Sequence, residues 1–165
     1  MEDYRRIVGS FNYDVSDQGN IQNNKTGRVL KQFHDGNGYK IVNISINGRT
    51  CTRSVHRLVA HSFIPNLENK PNVDHIDGNK SNNNVSNLRW CNQAENCRNT
   101  KLGIRNTSGI KGVYFNKKLI KRCAQITVNQ VTTYIGTYLT INEAKLARRR
   151  KATQMFGAFI NKCEA

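Results

Sequence analysis

Apolar residues recur along Tyr39-Lys-Ile-Val-Asn-Ile-Ser-Ile46, and this stretch reads as a strand. Asn47-Gly48 follows with the residues that a two-residue type I′ turn prefers, so Arg49 to Arg53 is the returning strand of a hairpin. Ser54 is placed to cap a short helix over Val55–Phe63. Ile64-Pro65 ends it, because a residue before proline is pushed out of the helical region. Residues 66–72, rich in Asn and Lys, form a connector. Val73 to Lys80 begins as a short strand and breaks at Gly78-Asn79 into a polar loop that runs through Ser81-Asn-Asn-Asn84. Asn87-Leu-Arg-Trp-Cys91 is apolar enough for a second strand. Asn92 with Glu95 three residues later is a capping-box pattern, which opens a helix near Gln93 and puts Asn96 in about its first turn. The order is strand, loop, strand, helix.

From Thr100 to Gly109 the composition shifts to Asn, Thr, Gly and Lys, as in a linker. Beyond it, Gly112–Asn116, Lys121–Val128 and Val131–Ile135 read as three strands, the last two joined by a tight turn at Asn129-Gln130. Thr140 and Glu143 make a second capping box and open a helix from about Ile141 to Phe156. The fold class expected is α+β, in small modules. These are an N-terminal strand-rich motif over 1–53, a strand-loop-strand-helix segment over 54–100, a linker over 101–108 and a sheet-plus-helix module over 109–165.

Charge separates these modules by task. The chain of 165 residues carries 26 Lys plus Arg against 11 Asp plus Glu, a formal charge of +15, too basic for an ordinary soluble enzyme acting on small neutral substrates. Residues 1–100 hold 13 basic and 9 acidic residues, net +4, whereas residues 101–165 hold 13 and 2, net +11. A polyanion is the expected partner of the second segment, and nucleic acid is the commonest. An anionic membrane surface is the weaker reading, because the basic residues interleave with strand-like and aromatic positions instead of lining one amphipathic helix. No apolar run approaches the roughly 20 residues needed to cross a bilayer, and the first residues lack the apolar segment of a secretory signal. A soluble, intracellular protein is expected. Cys51, Cys91, Cys97, Cys123 and Cys163 form no Cys-x-x-Cys pair, and the spacing of Cys91 and Cys97 fits no common structural zinc site, so they read as small buried hydrophobes.

Four residues carry candidate chemistry: Asp74 and His75 on one strand, Asn87 at the start of the next, and Asn96 on the following helix. Phosphodiester hydrolysis needs a base for the attacking water and a cation for the charge developing on phosphate and leaving oxygen. An imidazole, with an unperturbed pKa of about 6.5, suits the base. A carboxylate with an amide oxygen, here Asp74 and Asn96, suits a hard divalent ion such as Mg²⁺ or Mn²⁺. Asn87 is placed to hold the imidazole of His75 through a hydrogen bond.

Taken together, Val55-His-Arg-Leu-Val-Ala60, Val73-Asp-His-Ile-Asp-Gly-Asn-Lys80, Asn82-Asn83, Ser86-Asn-Leu-Arg-Trp90 and Glu95-Asn96 resemble the His-Asn-His (HNH) endonucleases found as homing enzymes in phages and their group I introns. The resemblance implies a ββα-metal fold, with His75 as general base, Asp74 and Asn96 as metal ligands, and Asn87 as the middle asparagine that orients the base. Asn96 stands where the third letter of the family name has His, a variation within the homing subgroup. Residues from about Tyr4 to Leu30 resemble the small DNA-contacting motif that often precedes this nuclease, without the tryptophan frequent near its start. Residues 109–157 resemble the apetala/ethylene-response type of DNA-binding domain, which reads a groove with a three-stranded sheet. Arg122 stands where that family usually has Trp.

These readings converge on a metal-dependent DNA endonuclease that nicks double-stranded DNA as a monomer and leaves 5′-phosphate and 3′-hydroxyl ends. No organic cofactor and no membrane partner are expected, and the setting implied is the cytoplasm of a phage-infected bacterium. The expected DNA contacts are Arg57, Lys80, Arg89, Lys111, Lys117, Lys118, Arg122, Arg148, Arg149 and Lys151, with Gln125 and Thr127 as base readers on the outward face of the sheet. Asp77 reads as a turn residue beside Gly78, His56 as a structural histidine and Trp90 as core. Two other functions fit the composition: a DNA-binding regulator whose nuclease-like centre is inert and, less well, an RNA-binding module.

Overall fold

The structure, a computed structural model, describes residues 1–157 apart from 47, 99–101, 103–105 and 129. The chain divides into two compact units, Met1–Asn96 and Cys97–Ala165.

In the first unit, strands β1 (Tyr4–Arg6), β2 (Tyr13–Ser16) and β3 (Ile21–Asn23) form one antiparallel sheet. Strands β4 (Phe33–His34), β5 (Lys40–Ile46) and β6 (Arg49–Ser54) form a second, with the hairpin register Ile46↔Arg49 to Ile41↔Ser54. Along β5 the burial alternates, Val42 and Ile44 facing inward and Asn43 outward, as a half-buried strand requires. Helix α1 (Val55–Phe63) follows β6 directly. Ser54 occupies its N-cap with extended backbone, but its side chain makes no capping hydrogen bond, so the cap expected from the sequence is positional only.

One hydrophobic cluster unites this unit. It joins Ile7, Val15 and Ile21 of the N-terminal sheet to Val42 and Ile44 of β5, to Val55, Leu58, Val59 and Ala60 of α1, and to Val73, Leu88 and Trp90. The segments separated at residue 53 by sequence motif therefore fold around a shared core. Trp90 lies in it, with Nε1 donating to the Ile64 carbonyl at 2.9 Å and the ring edge-on to His61.

Strands β7 (Asn72–His75) and β8 (Leu88–Cys91) pair antiparallel, Asn72↔Cys91 through His75↔Leu88. A 3-10 turn over Val85–Asn87 precedes β8, so Asn87 sits in that turn and not on the strand itself. Helix α2 (Gln93–Arg98) opens with both halves of the expected capping box: Glu95 N donates to Asn92 Oδ1 and Asn92 N donates to Glu95 Oε2, each at 2.8 Å.

The second unit is an antiparallel sheet of β9 (Val113–Asn116), β10 (Lys121–Val128) and β11 (Val131–Tyr138), with β10 central, and helix α3 (Ile141–Phe156) packed on it. Thr140 and Glu143 complete the reciprocal capping box. β11 runs past the expected end at Ile135, because Gly136 and Thr137 continue the ladder opposite Ala124 and Cys123. A bulge between Ala124 and Gln125 shifts that register. Of the turns read from sequence, Asn47 and Asn129 lie outside the described residues, as does half of the expected linker. Among the described residues no helix is long and apolar enough to cross a membrane.

Candidate active site

The β7–β8 hairpin and its crossing carry Asp74, His75 and Asn87, and Asn96 lies on the following helix. Asp74 and His75 end β7, and both side chains are buried. Arg89, the cross-strand partner of Asp74, places Nε at 2.9 Å and Nη2 at 2.7 Å from Asp74 Oδ2. Arg89, expected as a DNA contact, makes this ion pair, in which the guanidinium orients the carboxylate.

His75 points into a cluster of rings and amides. Its Nε2 lies 3.0 Å from Asn83 Oδ1. The ring centroid of His56 is 5.2 Å away and that of Tyr39 is 6.0 Å away. Burial lowers the His56 imidazole to about 4, with His75 and Arg57 adding to the shift and Asp35 opposing it, so His56 is neutral at physiological pH. Its Nδ1 is buried without a hydrogen-bond partner. Lys80 stands 4.5 Å over the Tyr39 ring and donates to the Asn37 carbonyl at 2.8 Å, at the outer edge of this cluster.

Asn87 holds the loop and not the ring, which corrects the hydrogen bond to His75 expected from sequence. Its Nδ2 donates to Asp77 Oδ1 at 2.9 Å and to the Asn82 carbonyl at 2.8 Å, and its Oδ1 accepts from the Asp77 backbone N–H at 3.0 Å. Asp77 Oδ2 accepts from Asn82 Nδ2 at 2.8 Å. Backbone bonds tighten the same crossing: Ile76 N to Asn87 O, and Gly78 N to His75 O, both 2.8 Å. Asp77 is thus the turn residue that the sequence suggested, and Asn87 is its clamp. Asn83 and Tyr39 were not singled out from sequence. Asn83 lies inside a run of four similar residues, Ser81-Asn-Asn-Asn84, where only the folded loop distinguishes one asparagine from the next.

Asn96 is half-buried in the first turns of α2. That end of the helix is tied to β7 by Asn72 Nδ2 donating to Gln93 Oε1 at 3.3 Å, and to the connector before β7 by Lys70 Nζ donating to Glu95 Oε1 at 3.2 Å. A carboxylate and an amide carbonyl offer only oxygen, which fits a hard divalent cation. The nearby sulfur, Cys91, does not enlarge that set. Burial, with Asp74 and Glu95 adding to it, pushes its thiol up to about 11, so it stays protonated. Among the described residues no cluster of three or more His, Cys, Asp or Glu side chains forms a metal site.

The expected DNA contacts fall into distinct environments. Arg57 and Lys80 are exposed on the first unit. In the second unit Lys117, Lys118, Thr127 and Arg149 are exposed, and Lys111, Gln125 and Lys151 are half-buried. The Arg122 guanidinium lies 4.8 Å from the Phe115 ring centroid. Ala124 and Ile126 face the helix while Gln125 and Thr127 face away, as the alternation predicted. Arg148 is the exception. It is 4% exposed, beneath the sheet against Gly112, and is therefore a packing residue in place of the expected phosphate contact. The helix stripe Ala144, Arg148, Ala152, Phe156 is the inward face of α3, and a run of four basic residues cannot keep all of its members off it.

Comparison with known proteins places these features. Residues 53–98 match the HNH endonuclease family and residues 2–45 match the NUMOD4 motif. An uncharacterized HNH endonuclease of Acanthamoeba polyphaga mimivirus, L245, is 40% identical over 87% of this chain and 39% of its own length. DNA endonuclease I-HmuI of Bacillus phage SP01 is 41% identical over 53% of this chain and 50% of its own. The solved structure described as DNA binding and cleavage by the HNH homing endonuclease I-HmuI superposes with a TM-score of 0.57 at 28% identity, covering 94% of this chain and 83% of that one. The chain spans between 23% and 50% of the lengths of the first curated relatives it matches.

Proposed function

For a chain that carries an HNH endonuclease domain behind a NUMOD4 motif, we propose the function of a metal-dependent DNA endonuclease of the homing type. The observation that carries this reading is the end of β7. There a buried histidine, with one ring nitrogen on an amide, adjoins a buried carboxylate paired with a guanidinium. His75 takes a proton from water as the water oxygen attacks phosphorus, the P–O3′ bond breaks and the leaving 3′ oxygen takes a proton from a solvent water, so the products are a 5′-phosphate and a 3′-hydroxyl. Asp74 and Asn96 are the residues that would hold a divalent cation, Mg²⁺ or Mn²⁺. Such a cation supplies charge neutralisation at the phosphate. One such site in a monomer cuts one strand per visit, so nicking is the expected outcome.

The basic second unit is the proposed DNA tether, of the apetala/ethylene-response type. Its support is an outward sheet face bearing Gln125 and Thr127, together with exposed Lys117, Lys118 and Arg149. Incubation with supercoiled plasmid, with and without Mg²⁺, tests the activity. Relaxed circles that form only with the metal support it, and an unchanged supercoiled band on a plasmid carrying the target of a phage relative sinks it.

A second reading, a DNA-binding regulator with an inert centre, draws on one observation: Arg89 already occupies Asp74 Oδ2, an oxygen that a cation would otherwise use. That reading requires DNA binding without relaxation in the same assay.

A further inference from the structure

We infer that Asn83, seated by the β2–β3 turn of the N-terminal motif, is a positioning residue that fixes the tautomer of His75. The inference rests on the reading of His75 as the general base. An amide oxygen only accepts hydrogen bonds, so the 3.0 Å contact between His75 Nε2 and Asn83 Oδ1 puts the proton of the neutral imidazole on Nε2. The lone pair is then on Nδ1. A base must present its lone pair to the water, and a ring protonated on the wrong nitrogen presents an N–H there instead. Both residues are 4% exposed, so no bulk water replaces this contact.

Asn83 is clamped from both sides. On one side the Asp77–Asn87 pair grips its neighbour: Asn87 Nδ2 bonds the Asn82 carbonyl and Asn82 Nδ2 bonds Asp77 Oδ2, both at 2.8 Å. On the other side lies the turn after β2. Val85 N donates to the Asp17 carbonyl at 2.7 Å. Gly19, at φ +89°, comes so close that a Cβ there would fall 2.8 Å from Asn83 Cβ and 3.3 Å from its carbonyl oxygen. The turn itself is held by Ser16, whose Oγ accepts from Gln18 N and Asn20 N, and by Gln32 Nε2 on the Gly19 carbonyl. A segment that matches a separate motif thus supplies the wall against which the base is set. Asn87, named from sequence for this task, acts on the backbone around it.

The test uses ¹⁵N NMR of the histidine rings in the full chain at about pH 8.5, well above an ordinary imidazole pKa, with His75 assigned by its loss in His75→Gln. The expected spectrum has His75 as the Nε2–H tautomer, shifted toward Nδ1–H or a mixture in Asn83→Leu. The turnover of Asn83→Leu on plasmid should fall by on the order of a hundredfold with DNA affinity unchanged. Asn83→Asp, which keeps an acceptor, should retain the tautomer. Gly19→Ala, which pushes Asn83 away, should copy Asn83→Leu. A wild-type His75 found as Nδ1–H overturns the inference, and so does an Asn83→Leu protein with unchanged tautomer and turnover. If His75→Gln still cleaves, the reading of His75 as base fails instead, whatever the tautomer.

Discussion

Arg89 lays two nitrogens of its guanidinium on the same oxygen of Asp74, across the β7–β8 register where the two residues face each other. The carboxylate is buried. The guanidinium gives it a charge partner and fixes the orientation of the group. Arg89→Leu strips a buried carboxylate of that partner and should destabilise the first unit by about 3 kcal/mol. Urea unfolding of the two proteins checks it, and a difference under about 0.5 kcal/mol, the level of an ordinary surface pair, contradicts it.

Asn87 makes three side-chain hydrogen bonds within the crossing from β7 to β8, two to Asp77 and one to Asn82. Asn87→Ala removes all three hydrogen bonds from a half-buried crossing, a cost of about 2 to 3 kcal/mol. The loop should loosen as well, so amide exchange at Ile76 and Gly78 should accelerate before the rest of the unit opens. Unchanged protection at those two amides would count against the clamp.

How much of this was legible beforehand differs between elements and contacts. The capping boxes at Asn92–Glu95 and Thr140–Glu143 were readable because the cap acts within four residues and its chemistry is local. The β5–β6 hairpin and the three C-terminal strands were readable for the same reason. Ser54 looked like a cap but makes no such bond, since position alone does not decide where a hydroxyl points. The neighbours of His75 were not readable. Asn83, His56 and Tyr39 come from separate stretches of the chain, and tertiary packing alone selects Asn83 from among its sequence neighbours. Arg148 misled for a related reason: a charge run on a helix has a period, and its inward member is buried whatever its type.

His56 makes the first unit sensitive to acid. Its imidazole is lowered to about 4 in the folded chain, by burial first and then by His75 and Arg57, with Asp35 opposing. The unfolded chain therefore binds the proton first. This group lets stability stand in full above about pH 6.5 and withdraws it as pH falls toward 4, by at most about 3 kcal/mol. Unfolding free energies of wild type and His56→Phe measured across that interval should diverge, the variant falling less steeply. Parallel curves would show that His56 is not the sensing group.

Gly112 should reveal whether binding and chemistry reside in different units. At φ +72°, a Cβ there would lie 2.3 Å from the Gln125 carbonyl oxygen and 2.7 Å from Arg148 Nε, so Gly112→Ala strains the junction of sheet and helix in the second unit. DNA affinity should fall and its salt dependence flatten, since fewer phosphates are neutralised. Cleavage at saturating protein should survive. A variant with wild-type affinity and salt slope would remove the second unit from the binding account.

The central claim is that His75 performs phosphodiester hydrolysis. Its most direct test is the relaxation of supercoiled plasmid in Mg²⁺ by wild type and His75→Ala at matched DNA occupancy. The account predicts relaxed circles with 3′-hydroxyl ends from wild type and a loss of rate on the order of a hundredfold or more in the variant. Equal metal-dependent relaxation by the two proteins would contradict it.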